Sequence, residues 1–303
     1  MQGKTHEVNG RLASGSRAYG LFLQKCYDIC RSNMRVSVGI TIIALFLVLG
    51  FMVPLFAPFE PAKWHVVPRD LPPQPGHILG TTSLGQSVFW FLSRAIGNSF
   101  VIGFVVAALG TIIGVIVGLI AGYNRGILST VLAISIDTFI AIPALPILIL
   151  LAALLQGKAS LFLLCAILSA FNWAWPARQV RSMVLTIRER AFIDVALFAN
   201  QSTWRIIYKE ILPHIVSWAG ANFTNTVLVA IGTEMSLAVL GLSSLERPTL
   251  GTMIYWALQY QALLRGIWWW LVPPVVVTVI LFVSLFLTST GLRDYRAVHR
   301  IEA

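Results

Sequence analysis

The chain has 303 residues, of which 57% are hydrophobic and 11% charged, and its formal net charge is +10. A soluble domain carries about 25% charged residues, so no single aqueous core can hide this much apolar surface and a bilayer must solvate much of it. The positive charge does not point to nucleic acid, because the basic residues stand in the segments between apolar runs, which is a pattern of membrane topology.

Residues 1–18 are polar, with Gly and Ser, and are expected to be mobile. Gly3-Lys4-Thr5 matches only the end of a phosphate-binding loop: nothing can supply its first glycine and no strand precedes it. From Tyr19 onward, Tyr19, Phe22, Leu23, Cys26 and Cys30 fall at helical spacing with Gln24, Lys25 and Asp28 off the stripe. This predicts an amphipathic helix, lying on the membrane surface or packed on the protein's own core. Cys26 and Cys30 are one helical turn apart, but no His or second Cys pair beside them completes a zinc site. A cleavable signal peptide is not expected, since the first apolar run is too long for one and follows some 35 polar residues.

Six spanning helices are predicted at about 36–57, 98–122, 128–155, 160–185, 211–240 and 270–292, each near the roughly 20 residues a bilayer requires. Pro54, Pro58, Pro61, Pro68, Pro72, Pro73 and Pro75 make the first connection a loop. Residues 83–97 read as a short interfacial helix before the second span. Cys165, inside the fourth, reads as a small packing residue. Sixteen Lys and Arg lie in the segments 1–35, 125, 178–209 and 293–300, against five in the alternate set, Lys63, Arg69, Lys158, Arg247 and Arg265. The richer side is cytoplasmic by the positive-inside rule. Both termini are then cytoplasmic and the loops 58–97 and 241–269 external, with Trp268-Trp269-Trp270 in the aromatic belt. The expected division is a cytoplasmic segment at 1–35, a first span with its external loop at 36–97, a permease core at 98–292 and a cytoplasmic tail at 293–303.

The segment Arg188–Pro213 reads as two short helices with a break. Asn200 suits the left-handed conformation that closes a helix. Ser202 or Thr203 can cap the next one. Pro213 stands where the chain re-enters the bilayer, and Ala196 and Ala199 permit close approach by another protein. On residues alone this is a lever across the cytoplasmic mouth or an ordinary connecting loop.

The same segment resembles the coupling loop of binding-protein-dependent importer permeases, whose motif runs Glu-Ala-Ala-x-x-x-Gly and ends on Ile-x-Leu-Pro. The corresponding residues are Asp194, Val195 and Ala196, then Asn200, then Ile211-Leu212-Pro213, an ending offset slightly from the strict spacing. Asp keeps the charge of Glu, and Asn keeps access to positive φ. His77-Ile-Leu-Gly-Thr-Thr-Ser-Leu-Gly85 is similar to the His-Pro-Leu-Gly-Thr-Asp-x-x-Gly-Arg-Asp signature of the oligopeptide/dipeptide/nickel subfamily, with Thr82, Gln86 and Ser87 replacing Asp, Arg and Asp. Asp137 with Ile142-Pro143, Trp175 with Ala177-Arg178 and Val180-Arg181, and Glu234 with Leu240-Gly-Leu also fall where that branch has them. The resemblance spans roughly 30–296, and the long loop before the second span resembles the C-type subunit.

The resemblance implies an all-α membrane protein of six transmembrane helices with the type I importer permease fold, in a bacterial or archaeal cytoplasmic membrane. It implies a related second permease, two cytoplasmic ATPases and an extracytoplasmic solute-binding protein as partners. ATP and Mg would be bound by the ATPases, with no cofactor, metal or catalytic residue in this chain. Asp194, Val195, Ala196, Ala199, Asn200, Leu212 and Pro213 would couple to the ATPase. Asp137 and Glu234, the two acids deep in spans, would line the pathway or meet the second permease, or else hydrogen-bond between helices. Glu246 and Arg247 are candidate contacts for the binding protein. Peptide is the expected solute, with oligosaccharide or nickel as alternatives. An autonomous transporter or channel would favour an internal repeat and more ionisable residues in the spans. An intramembrane enzyme would need clustered catalytic side chains, and His6, His65, His77, His214 and His299 are scattered.

Overall fold

The computed structural model describes residues 33–155, 160–243 and 247–299. The amphipathic stretch at 19–30 and Glu246 therefore lie outside the described residues. Among those described, all regular structure is helical, apart from two isolated bridges, Gln74 with His77 and Thr81 with Ser87.

Helix α1, Met34–Phe51, is capped by Asn33, whose side chain accepts the Arg35 N–H at 3.0 Å. Helix α2, Val88–Tyr123, runs 36 residues without a break. At 1.5 Å per residue this is roughly 54 Å, well beyond a hydrocarbon layer of about 30 Å. The separate interfacial helix expected at 83–97 does not exist. The chain turns at Gly85, φ 71°, and from Val88 nothing in the sequence breaks a helix, so those residues become the first turns of the second span.

The third span is broken. Helices α3, Ile127–Ala141, and α4, Ala144–Leu155, meet at 75°. Pro143 pushes the preceding residue out of the helical region, and Ile142 is extended at φ −68°, ψ 123°. Helices α5, Leu161–Asn172, and α6, Ala174–Ile187, join through Trp173, which stays helical, into one span. Helices α7, Ala191–Phe198, and α8, Thr203–Ile206, follow. A widened turn at Ile207–Ile211 then leads into α9, Leu212–Val239. Helices α10, Leu250–Gln259, and α11, Trp268–His299, complete the described chain. Among the described residues, four helices are long and apolar enough to cross a membrane, and two bent pairs, Ile127–Ala141 with Ala144–Leu155 and Thr203–Val216 with Trp218–Val239, bring this to six if each is one span.

The centre of the bundle is the contact of α2 with α5 and α6. Gly110, Gly114, Gly118 and Gly122 recur every fourth residue and so share one face of α2. A Cβ at Gly110 would meet the Asn172 carbonyl at 3.2 Å, at Gly114 the Pro176 side chain at 2.6 Å, at Gly118 the Ala177 carbonyl at 2.6 Å, and at Gly122 the Val184 side chain at 2.7 Å. Lipid tails are as apolar as leucine, so helices in a bilayer associate through such close packing rather than through the hydrophobic effect. Helix α1 is held in the same way, Gly50 against Gly97 and Gly39 against Thr288.

At the end of the bundle that carries Trp268–Trp270, residues 80–87 form a buried polar knot. Thr82 Oγ1 accepts the N–H groups of Leu84 (3.2 Å) and Gln86 (3.1 Å), and Gln86 Nε2 donates to the Ala62 carbonyl at 2.9 Å. Trp269 Nε1 donates to the Thr81 carbonyl at 3.1 Å. At Thr82 and Gln86, neutral hydrogen bonds thus stand where charged residues stand in the related signature. Arg265 closes the knot, reaching Asp70 Oδ2 at 2.8 Å and Ser83 at 2.9 Å. The segment 241–269 is not a free loop either. Leu250, Met253, Ile254 and Ala257 lie at i, i+3, i+4 and i+7 and are buried in the main core, which makes α10 part of the packed body.

Candidate functional site

The opposite end of the bundle carries Arg125, Arg188, Arg190, Arg205 and Lys209 and holds the helix–turn–helix of α7 and α8. Helix α7 ends on a left-handed residue, Asn200, at φ 52°. The Asn200 N–H bonds the Leu197 carbonyl at 2.9 Å and the Gln201 N–H bonds that of Ala196 at 3.2 Å. This is the paired 5→2 and 6→1 closure of a Schellman motif, and Asn stands where glycine is usual. Ser202 takes the N-cap position of α8 with extended backbone, and its carbonyl accepts the N–H groups of Arg205 and Ile206. Its hydroxyl makes no capping bond.

Pro213 shapes what comes next. Proline lacks an N–H, and in a helix its ring collides with the carbonyl four residues back, here that of Lys209. The chain answers with a π turn, in which the Leu212 N–H bonds the Ile207 carbonyl five residues back.

Only part of α7 is available to another molecule. Ile193 and Ala196 are buried against Val180, Val184, Ile187, Ile206, Ile211 and Ile215. Ala196 thus faces the protein's own core, which corrects the expectation that it permits close approach by another protein. Ile193 and Ala196 mark the inward face of α7, and Val195 and Ala199 lie outside it. Asp194, Val195, Ala199 and Asn200 are exposed, as is Pro213, while Leu212 is half-buried. The largest exposed side chains of the segment 191–211 are Phe198 (90%), Trp204 (80%) and Tyr208 (71%). Sequence reasoning passed over these three. Aromatic residues beside Arg205 and Lys209, at the basic entry to a span, were the available signal. Arg188 bolts this element to α2: its Nη1 donates to the carbonyls of Gly122 (3.0 Å) and Asn124 (3.4 Å), at the helix end where the macrodipole favours a cation.

The two acids within spans have different surroundings. Glu234, 1% exposed, accepts hydrogen bonds at Oε1 from Ser243 Oγ (3.1 Å) and Thr249 Oγ1 (2.9 Å). Thr249 is also the N-cap of α10, in a reciprocal box with Thr252. Asn98 Nδ2 donates to the Pro248 carbonyl at 2.8 Å, and Ser99 Oγ accepts the Leu250 N–H at 3.1 Å. The turn before α10 is therefore clasped by α9 and α2 together. Asp137 is exposed and pairs with Arg178 across α3 and α6, Nε to Oδ1 3.8 Å. The structure brings neither acid near the coupling segment or the other. Arg247 is exposed, and its carbonyl accepts the Thr252 hydroxyl at 3.0 Å.

Residues 114–297 match the family described as "Binding-protein-dependent transport system inner membrane component". The oligopeptide transport system permease protein OppC of Bacillus subtilis (strain 168) is 30% identical over 215 residues, 70% of this chain and 69% of that protein. The dipeptide transport system permease protein DppC of the same organism is 27% identical over 239 residues, 78% of this chain and 73% of its own length. Among solved structures, a chain of the MetNI methionine ABC transporter in an inward-facing conformation aligns with a TM-score of 0.52 at 22% identity, covering 69% of this chain and 96% of that one. That likeness extends to the fold. With its helical bundle, its broken third span and its helix–turn–helix at one end, this chain belongs to the binding-protein-dependent transport system inner membrane component family and has the type I importer permease fold.

Proposed function

We propose that this chain forms half of the translocation pathway of an ATP-driven importer of di- or oligopeptides, and that its residues 188–213 receive the push of a cytoplasmic ATPase. The observation that carries the reading is the exposed aromatic face of Phe198, Trp204 and Tyr208 on a stiffly closed helix–turn–helix. Large aromatic residues left uncovered at the basic end of a membrane bundle are the kind of anchors that dominate binding energy at interfaces. Asp194, Val195, Ala199 and Asn200 flank that face. Closure of two ATP- and Mg-bound ATPases would move the segment, tilt α6 and α9, and alternate the pathway between inward-open and outward-open. A second, related permease and an external solute-binding protein complete the assembly, and peptide is supported by the names of the relatives.

Phe198→Ala together with Trp204→Ala is expected to weaken retention of the ATPase in the purified complex about tenfold, the scale of ~1.4 kcal/mol. Asn200→Gly should retain it. Asn200→Val should not, because a β-branched residue held at positive φ is strained by about 1–3 kcal/mol. Wild-type chain that purifies alone, and variants that behave alike, would mean an autonomous transporter with 188–213 as a mere connector.

The orientation is part of the proposal, with residues 1–35, 188–206 and 293–303 cytoplasmic and 58–97 and 241–269 external. Single cysteines at Pro68 and Ser202, both exposed positions, should react with an impermeant thiol reagent from opposite sides of the membrane. Labelling from one side only would overturn the orientation.

A further inference from the structure

Ten residues into α3 from Ile127 stands Asp137, and nine residues before the end of α6 at Ile187 stands Arg178. At 1.5 Å per residue both lie roughly 15 Å in from the basic end of the bundle, within the spans. Yet their side chains are 61% and 55% exposed. Ionised groups at that depth do not face lipid; they face a water-filled cavity or protein. The rest of α6 points to the cavity. Ala174, Ala177, Val180 and Val184 are buried, and the opposite face exposes Trp175, Arg178, Gln179, Ser182 and Thr186 in one polar stripe reaching the basic end. Where helices of this bundle meet, as α2 meets α6, they do so on glycine and alanine, as bilayer packing demands. The long polar side chains of Arg178 and Gln179 on the exposed face are suited instead to water. At 3.8 Å the ion pair contains no hydrogen bond, so the guanidinium fork and the carboxylate each retain their strongest bonding directions.

We propose that Arg178 and Asp137 form a two-point charge site for a zwitterionic solute on the translocation route, the guanidinium receiving a carboxylate and the Asp137 carboxylate receiving an ammonium group. The proposal rests on the permease reading above. A zwitterion replaces one loose ion pair with two and leaves the net charge within the spans unchanged. A solute with blocked ends offers nothing in exchange for opening the pair.

The test uses the assembled complex in which Cys26, Cys30 and Cys165 of this chain are serine and Gln179→Cys is its reporter thiol, followed with a cationic, membrane-impermeant reagent. Without nucleotide, the thiol is expected to label, and millimolar dialanine to slow labelling about tenfold, the effect of a charge-assisted contact. N-acetyl-dialanine amide should give no protection. Relative to each variant's own unprotected rate, Arg178→Gln should abolish protection by dialanine, and Arg178→Lys should restore part of it. A thiol that labels in the isolated chain but not in the complex would mean that a second subunit covers the pair, and the proposal fails. Equal protection by the free and the blocked peptide would also overturn it. Both outcomes are read without ATP. A wild-type complex whose ATPase ignores its binding protein would instead count against the permease reading itself.

Discussion

Gly118→Leu is expected to stop the chain from forming a stable bundle. The Cβ alone would sit 2.6 Å from the Ala177 carbonyl and 2.7 Å from the Val180 Cβ, and neither can move without shifting the α6 backbone. Overpacking of a tight site costs about 1–3 kcal/mol. Here the displaced backbone would also open the contacts made by Gly114 and Gly122, so the cost should reach the upper end or beyond. Gly232→Ala is the control, since its Cβ would meet Phe282 at an ordinary 3.5 Å and alanine gains about 1 kcal/mol of helix propensity. In detergent, Gly118→Leu should aggregate many degrees below wild type and Gly232→Ala at or above it. Equal stability of the two would show that α2 and α6 do not depend on backbone contact.

The second large effect is expected at Glu234. Glu234→Ala leaves the Ser243 and Thr249 hydroxyls without their buried acceptor and opens a cavity beside the start of α10. An unsatisfied buried group costs about 1–3 kcal/mol and truncation of a buried side chain a few more, so a loss of roughly 2–4 kcal/mol is expected. Glu234→Gln keeps an acceptor at Oε1 and should lose about half as much. Limited proteolysis of the purified protein should detect the difference as faster cleavage near 243–250 in the alanine variant. If both variants cleave at the wild-type rate, Glu234 does not hold that turn.

The span positions were legible because long apolar runs have no other physical solution. What the runs could not reveal was where they bend or merge. Pro143 was visible, yet a proline in a span can kink it or break it, and packing of the two halves decides. The start of α2 was misplaced because hydropathy falls across Arg94 although the helix does not. Short buried helices such as α10 escape any search tuned to membrane thickness. At the candidate site, Asn200 was readable because one backbone conformation admits few residue types. The direction of Ala196 was not, because alanine fits an interior and an interface equally well. The glycine ladder was in plain view at Gly110, Gly114, Gly118 and Gly122, but glycine is common in spans, and only the position of α6 gives the spacing its meaning.

The π turn beneath Pro213 has a consequence for how relatives of this chain tolerate insertions and deletions. Such a turn contains one residue more than an α-helical one. The wider turn absorbs that extra residue, so deleting one residue between Ile207 and Ile211 would let the helix close normally and leave the positions before it facing nearly as they do now. A further residue inserted there, with no second wide turn to take it up, would instead rotate every preceding position by about 100° around the axis relative to α9. Trp204 would then leave the outer face. The azimuth of the aromatic face thus tolerates a loss in this five-residue stretch but not a gain.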